Sequence, residues 1–314
     1  MGALLFPGQG SQVVGMGLEF YNNFDLVKKI FNTADSKLNF SLSKMILEGP
    51  ESDLQLTKNT QPAILTVSYS IYKVLTEVFN LNLNKFKYFA GHSLGEYSAL
   101  VSSESLKFED ALYLLHERGK AMQEAVPVGK GSMLAVLGLN PIELTDLLKE
   151  KKNNGVCEIA NDNADGQIII SGDKFSLDNF SKHLKEKKIK VIPLKVSAPF
   201  HCSLMKPAAK SMEKKIQSTK FDEPKIKIIN NVNAKETGNA EDIKKLLIEQ
   251  IYSTVKWRET LINMYNFGIE NFIEIGPGKT LTGMVKRTIK ENKVNSFSIN
   301  SIADIKNLTD ELKK

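Results

Sequence analysis

The stretch Phe86-Lys87-Tyr88-Phe89-Ala90-Gly91-His92-Ser93-Leu94-Gly95-Glu96-Tyr97-Ser98-Ala99-Leu100-Val101 decides the fold. Its first five residues read as a buried strand, and residues 97–101 carry a helical pattern. Between them, Gly91-His92-Ser93-Leu94-Gly95 matches G-x-S-x-G. Five residues of that kind recur by chance, but a strand before and a helix after is the context that a nucleophile elbow demands. Flanking glycines let strand and helix approach closely, so the Ser93 hydroxyl projects from a sharp turn at the helix N-terminus. There the helix dipole and free N–H groups stabilise negative charge. Ser93 is the candidate nucleophile, and the N–H of Leu94 is the first candidate oxyanion donor. The competing reading is an incidental turn in which Ser93 caps the helix. His92 reads as a packed elbow residue, because adjacent side chains diverge there.

The same rhythm recurs outward from this stretch. Residues 3–6 run into Pro7-Gly8-Gln9-Gly10, residues 272–275 run into Gly276-Pro277-Gly278, and helical periodicity covers 61–79, 108–124 and 243–252. Alternating strands and helices predict an α/β fold with a mostly parallel sheet. The middle reads differently, with strands at 132–137, 156–161, 167–171 and 190–196 and helices at 141–151 and 177–187. The order β-α-β-β-α-β is ferredoxin-like. The expected architecture is a discontinuous large domain, residues 1–127 and 198–314, with a ferredoxin-like subdomain, residues 128–197, inserted into it. The charged tail from Asp304 onward reads as a terminal helix or frayed end.

Three further residues carry chemical signals. Gln9 lies in Gly8-Gln9-Gly10-Ser11-Gln12, which fails as a dinucleotide fingerprint because Val13 stands at the third glycine position, and fails as a P-loop for want of Gly-Lys-Ser/Thr. A glycine-flanked loop suits the second oxyanion donor, whose loss costs on the order of 10²–10³ in rate. Arg118 shares one helical face with Ala111, Leu115 and Met122. A guanidinium on an apolar stripe is costly unless paired, and its planar fork matches a carboxylate. Either one of the chain's own acids pairs with it, or the side chain snorkels to the surface, or a substrate supplies the carboxylate. His201 follows Pro199-Phe200, lies at a strand-to-helix junction and is the candidate base. No Asp or Glu declares itself as the third member of a triad, and Cys202 reads as a small packed hydrophobe.

Composition narrows the class. Of 314 residues, 42% are hydrophobic and 25% charged, as in an ordinary globular chain. Two cysteines and four histidines show neither a disulfide framework nor metal-ligand spacing, so metal-free chemistry in a reducing compartment is expected. No run approaches the roughly 18 apolar residues of a membrane span. Residues 1–7 lack a basic region and enter a strand, so a cytoplasmic protein is expected, or one of an organelle stroma if a targeting segment preceded it. The net charge of +6 fits a solvated lysine-rich surface or an acidic partner, and without a nucleic-acid motif the acidic partner is a protein.

With these residues in place, the chain resembles the malonyl-CoA:acyl carrier protein transacylase family nearly end to end. The resemblance rests on residues 6–12, 91–99, 118–123 and 201–207, on Gln250, Val255 and Trp257, and on residues 276–279. It implies an α/β-hydrolase-like large domain with a ferredoxin-like insert and a Ser93–His201 dyad. It also implies that a backbone carbonyl at Gln250 orients the histidine, and that Gln9 and Leu94 are backbone donors. Arg118 would grip the free carboxylate of malonate and select malonyl over acetyl. Met122 and Asn161 are the further expected substrate contacts. The implied substrate is the coenzyme A thioester malonyl-CoA, the partner is acyl carrier protein, and no cofactor is implied. Lys187, Lys188 and Lys190 are candidate carrier contacts. Two residues depart from the usual pattern: Phe200 replaces a small polar residue, as in malonyl-selective domains of large synthases, and Thr254 replaces a proline. The rival functions are a serine esterase or thioesterase, which has no use for a buried cation, and a non-catalytic carrier-binding module.

Overall fold

The computed structural model describes residues 1–151, 155–196 and 198–311. Ten strands are found among them: β1 (Gly2–Phe6), β2 (Phe86–Gly91), β3 (Gly131–Leu137), β4 (Cys157–Ala164), β5 (Gln167–Asp173), β6 (Lys190–Pro193), β7 (Lys227–Ile229), β8 (Glu236–Thr237), β9 (Asn271–Ile275) and β10 (Asn295–Ile299). Six form a sheet in the order β10-β9-β1-β2-β7-β8, parallel throughout except for the short β8. The other four form an antiparallel sheet, β4-β5-β3-β6. The fold is therefore mixed α/β, with a mostly parallel sheet as the sequence predicts.

The parallel sheet is apolar on both faces, as buried parallel strands are. Leu4, Phe6, Phe89 and Ile273 point into one core, while Ala3, Leu5, Tyr88 and Phe272 point into the other. The antiparallel sheet is asymmetric. Leu134, Val136, Ile168 and Ile170 pack on Leu144 of the helix Pro141–Glu150 and on Leu177, Phe180 and Leu184 of the helix Lys174–Glu186. Its other face carries Met133 and Ile169, which belong to the main core and line a cavity between the two sheets. The small sheet is thus a roof over that cavity.

The roof is tied down along β4. Val255 N donates to Ala160 O at 2.9 Å, Asp162 N donates to Val255 O at 3.0 Å, and Lys256 N donates to Asn231 O at 2.9 Å. Thr254 Oγ1 donates to Ile159 O at 2.6 Å, a bond that proline in its place would forgo. Arg258 and Asp162 add a close ion pair across the same seam, 2.9 Å from Nη2 to the carboxylate.

Element ends differ from the sequence reading for local reasons. The helix expected from residue 61 begins at Thr57 and runs to Lys73, then continues as a π-helical turn, Val74–Val78. Pro62 lies inside it, and the Lys58 carbonyl that loses its bond there accepts one from His116 Nδ1 at 2.9 Å. A side chain distant in sequence therefore permits a helix start that proline alone argues against. The helices Lys174–Glu186 and Ala240–Gln250 begin at the capping residues Asp173 and Asn239, three residues before their apolar periodicity becomes legible. β6 stops at Pro193, and residues 194–196 leave the sheet to line the cavity. The expected subdomain boundary at 197 and the last residues, 312–314, lie outside the described residues. The tail before them is the helix Ile302–Glu311.

Glycine is required where β2 turns into the helix Gly95–Ser102. A Cβ on Gly91 would collide with the Gly95 carbonyl, and one on Gly95 would collide with the Phe6 carbonyl. Backbone groups cannot step aside as a flexible side chain can. Gly95→Ala is accordingly expected to lower unfolding free energy by about 3 kcal/mol or more, at the upper end of overpacking costs. Urea denaturation checks this, with Gly238→Ala, where a Cβ meets open space, as the neutral control.

Candidate active site

Adjacent parallel strands end together, and the site is built on that fact. β1 and β2 pair with Phe6 opposite Gly91, so the Gln9 loop and the Ser93 turn leave the sheet side by side. His92 N donates to Phe6 O at 3.0 Å and locks the two exits together. β7 beyond β2 delivers Asn231 to the same end. Crevices outside the carboxyl ends of parallel strands are where ligands bind in such sheets.

Ser93 sits at φ 54°, the left-handed region that a side chain rarely adopts. Such strain costs on the order of 1–3 kcal/mol and persists only where surrounding bonds enforce it. Here Ser93 N donates to Asn231 Oδ1 at 2.7 Å, Asn231 Nδ2 donates to Gly91 O at 2.7 Å, and Gln250 Nε2 donates to Ser93 O at 3.0 Å. Asn231 staples the turn from both sides.

Ser93 Oγ lies 2.8 Å from His201 Nε2, and His201 Nδ1 lies 2.8 Å from the Gln250 carbonyl. A carbonyl only accepts, so Nδ1 carries the proton and Nε2 is left bare toward the hydroxyl. Burial, reinforced by the Arg118 charge, lowers the His201 pKa to about 3. The imidazole is therefore neutral near neutrality, the form in which it can take a proton from Ser93.

Arg118 is 1% exposed. Its Nη2 donates to Ser93 Oγ at 3.2 Å and to Gln250 Oε1 at 2.9 Å, and its Nη1 donates to Gln61 Oε1 at 2.8 Å. Tyr97 presents its ring 5.9 Å from the guanidinium carbon. Among the described residues no carboxylate pairs with Arg118, and its Nε has no partner. Of the three alternatives open in the sequence, an internal ion pair is absent from these contacts, and the burial of Arg118 is at odds with a snorkelling side chain.

A cavity of about 910 Å³ opens onto these groups and is lined by Gln9, Ser93, Leu94, Arg118, Met122, Asn161 and His201. The N–H groups of Gln9 and Leu94 donate to no other group among the described residues. Gln250 lies behind the cavity and reaches it through its carbonyl and amide. Of the residues singled out in the sequence, Gln9, Ser93, Leu94, Arg118, Met122, Asn161, His201 and Gln250 are brought together, whereas Lys187, Lys188 and Lys190 lie outside the cavity. His92 also borders the cavity, but its ring is bonded to Asn163 Oδ1 at 2.8 Å and packs against Trp257, and Cys202 is fully buried. Sequence reading missed Asn231, Gln61 and the part played by Glu96. Glu96 had a signal, a lone acid in a helix buried on every side. Asn231 and Gln61 had none. Among the described residues no group of three or more His, Cys, Asp or Glu side chains could hold a metal ion, and no helix is long and apolar enough to cross a membrane.

A buried serine–imidazole pair beside an unspent cation defines a class of group-transfer protein, and the comparisons place the chain within it. Residues 3–312 match the acyl transferase domain family. The malonyl CoA-acyl carrier protein transacylase of Bacillus subtilis is 42% identical, covering 94% of this chain and 93% of that one. The Haemophilus influenzae transacylase of the same name is 39% identical over 96% of each. The crystal structure of acyl-carrier-protein S-malonyltransferase from Bartonella henselae superposes with a TM-score of 0.95, at 38% identity over the whole of both chains. A malonyl-transacylase solved in complex with its type II polyketide acyl carrier protein superposes at 0.94, 36% identical over 98% of this chain and 99% of that one. The chain belongs to this acyl transferase family, among its malonyl CoA-acyl carrier protein transacylases.

The depressed His201 pKa has a sign that can be checked. A histidine whose folded pKa lies below the ordinary value of about 6.5 stays neutral while the unfolded chain protonates. Its contribution to stability is therefore present above 6.5 and declines as pH falls toward 3. NMR of the imidazole nitrogens is expected to show no His201 titration between about pH 8 and 5. A midpoint near the ordinary histidine value would mean that the ring is hydrated.

Proposed function

We propose that this chain transfers the malonyl group from malonyl-CoA to the phosphopantetheine thiol of acyl carrier protein through a malonyl-serine intermediate, supplying the extender unit for fatty acid synthesis. The observation that carries this reading is the buried Arg118 guanidinium, 3.2 Å from the Ser93 hydroxyl and without a carboxylate partner among the described residues. Malonate supplies the missing carboxylate. Acetate leaves the cation buried and unanswered.

His201 Nε2 takes the Ser93 proton as Oγ attacks the thioester carbonyl. The oxyanion rests on the N–H groups of Gln9 and Leu94. As the tetrahedral centre collapses, the carbon–sulfur bond breaks and the departing thiolate of coenzyme A takes the proton from His201. The carrier thiol then gives its proton to His201 and attacks the malonyl ester. Ser93 leaves with that proton, and the enzyme is restored. Met122 and Asn161 serve as walls that position the acyl chain, and the Gln250 carbonyl keeps His201 in the tautomer that each step needs. No cofactor enters these steps.

The architecture is read as an α/β-hydrolase-like domain, residues 1–127 and 198–314, carrying a ferredoxin-like subdomain, residues 128–197. The antiparallel order β4-β5-β3-β6, with both helices on one face, supports that description of the insert. Cytoplasm, or an organelle stroma, is the compartment proposed. Lys187, Lys188 and Lys190 are exposed on the insert and are proposed to meet an acidic carrier, although Lys187 also pairs with Glu150 at 3.2 Å. Reversal of these three charges is expected to raise the apparent KM for carrier severalfold at low salt, with malonyl-CoA kinetics unchanged. An unaltered KM would remove them from the docking surface.

Intact-mass spectrometry tests the reaction. Malonyl-CoA is expected to leave one malonyl adduct, absent from Ser93→Ala and discharged by acyl carrier protein. Steady release of free malonate without an adduct would indicate a hydrolase instead. Two charge-assisted bonds at roughly 1.5–3 kcal/mol each put the cost of Arg118→Ala at about 10²-fold or more in malonyl transfer. Acetyl transfer by the same variant is expected to change far less. Equal losses for both acyl groups would overturn the assignment of Arg118.

A further inference from the structure

One acid at the heart of the site has no part in the steps above. Glu96, 3% exposed, lies in the first turn of the helix that follows Ser93. Its Oε2 accepts from Gln250 Nε2 at 2.8 Å and from Asn231 N at 3.1 Å. Through those two bonds it reaches the rest of the machinery. Asn231 holds the Ser93 turn. The Gln250 amide presents its oxygen to Arg118 and its nitrogen to Ser93 O, while the carbonyl of the same residue orients His201.

An amide has one acceptor and two donors on opposite sides, and its direction is set by what it meets. Glu96 only accepts while ionised, so it meets the NH₂ of Gln250 and turns the amide oxygen toward Arg118. Turned the other way, the amide would aim its donors at a guanidinium. A carboxylate touching Arg118 directly would close the guanidinium in an ion pair and compete with the substrate. Placed one amide away, it orders the cation and does not consume it.

Resting on the transferase reading, we propose that Glu96 is a positioning residue: acting through the Gln250 side-chain amide, it holds Arg118 and the His201-orienting carbonyl in one shared arrangement on which malonyl selection depends. It touches neither substrate nor the reacting atoms. Burial raises its pKa to about 7, the cost of seating a carboxyl there.

The test compares Glu96→Ala, Glu96→Gln, Gln250→Met and the double variant E96A/Q250M, with malonyl-CoA and acetyl-CoA as donors. Glu96→Gln keeps an acceptor for both bonds, and Gln250→Met keeps the backbone carbonyl while deleting the amide. Glu96→Ala and Gln250→Met are each expected to lower the malonyl-to-acetyl ratio of kcat/KM by about tenfold or more, chiefly through malonyl-CoA. Glu96→Gln is expected to stay within about fivefold of the parent, and the double variant to be no worse than Gln250→Met, because the two residues act as one unit. Unchanged selectivity in Gln250→Met, equal losses in Glu96→Ala and Glu96→Gln, or additive losses in the double variant would overturn the proposal. Should Glu96→Ala fail to fold, the contrast between Glu96→Gln and Gln250→Met decides alone. A parent enzyme that forms no malonyl adduct would sink the transferase reading itself, an outcome distinct from normal parent behaviour with indifferent variants.

Discussion

The parallel pairing of β1 with β2, Phe6 against Gly91, is the constraint on which the rest of the site depends. It sets two loop exits side by side at one end of the sheet, where both line a single cavity. The pairing also dictates the glycines, because the helix Gly95–Ser102 must pass over the end of β1 with no room for a Cβ. The strained Ser93 backbone follows from the same geometry. A serine that must leave the sheet and point back into the cleft has few conformations left, and the bonds from Asn231 and Gln250 hold it in one of them.

Electrostatics in the cleft are governed by burial rather than by salt bridging. Arg118 and His201 are almost wholly removed from water, and both are pushed toward their neutral forms by that removal. The two respond differently. An imidazole gives up its charge and becomes a base, whereas a guanidinium keeps its charge and needs acceptors. Gln61, Gln250 and the face of Tyr97 supply them without a negative charge. The result is a site that tolerates a buried cation with no carboxylate against it among the described residues.

The roof over the cleft is secured by backbone bonds between β4 and Val255, on the same segment that follows the Gln250 carbonyl bonded to His201. Asn161 belongs to the strand so secured, and it forms a bridge with Val255. One wall of the cavity and the alignment of the imidazole are therefore tied to the same segment of chain. Thr254 reinforces it with a side-chain bond to Ile159, so the departure from proline at that position strengthens the seam.

Much of this was legible in the chain because it is local. The G-x-S-x-G turn between strand and helix, the Gln9 loop after β1 and Arg118 on an apolar stripe are patterns of a few residues, each with its own steric or electrostatic reason. The alternation of strands and helices likewise announced a mostly parallel sheet. Other features answer to partners far away along the chain. Helix entry at Thr57 relies on His116 to satisfy the carbonyl that Pro62 frees, and the short β7 and β8 exist as strands only because β7 pairs with β2 and β8 with β7. Asn231, Gln61 and Glu96 are ordinary polar residues in sequence, and each acquires its place from bonds to residues tens of positions away or more. The sequence by itself determined which side chains are the candidate nucleophile, base and cation, since these are properties of residue type and immediate neighbours. Only the tertiary structure decided how they are oriented, because a buried polar group takes its direction from whichever donors and acceptors the fold brings to it.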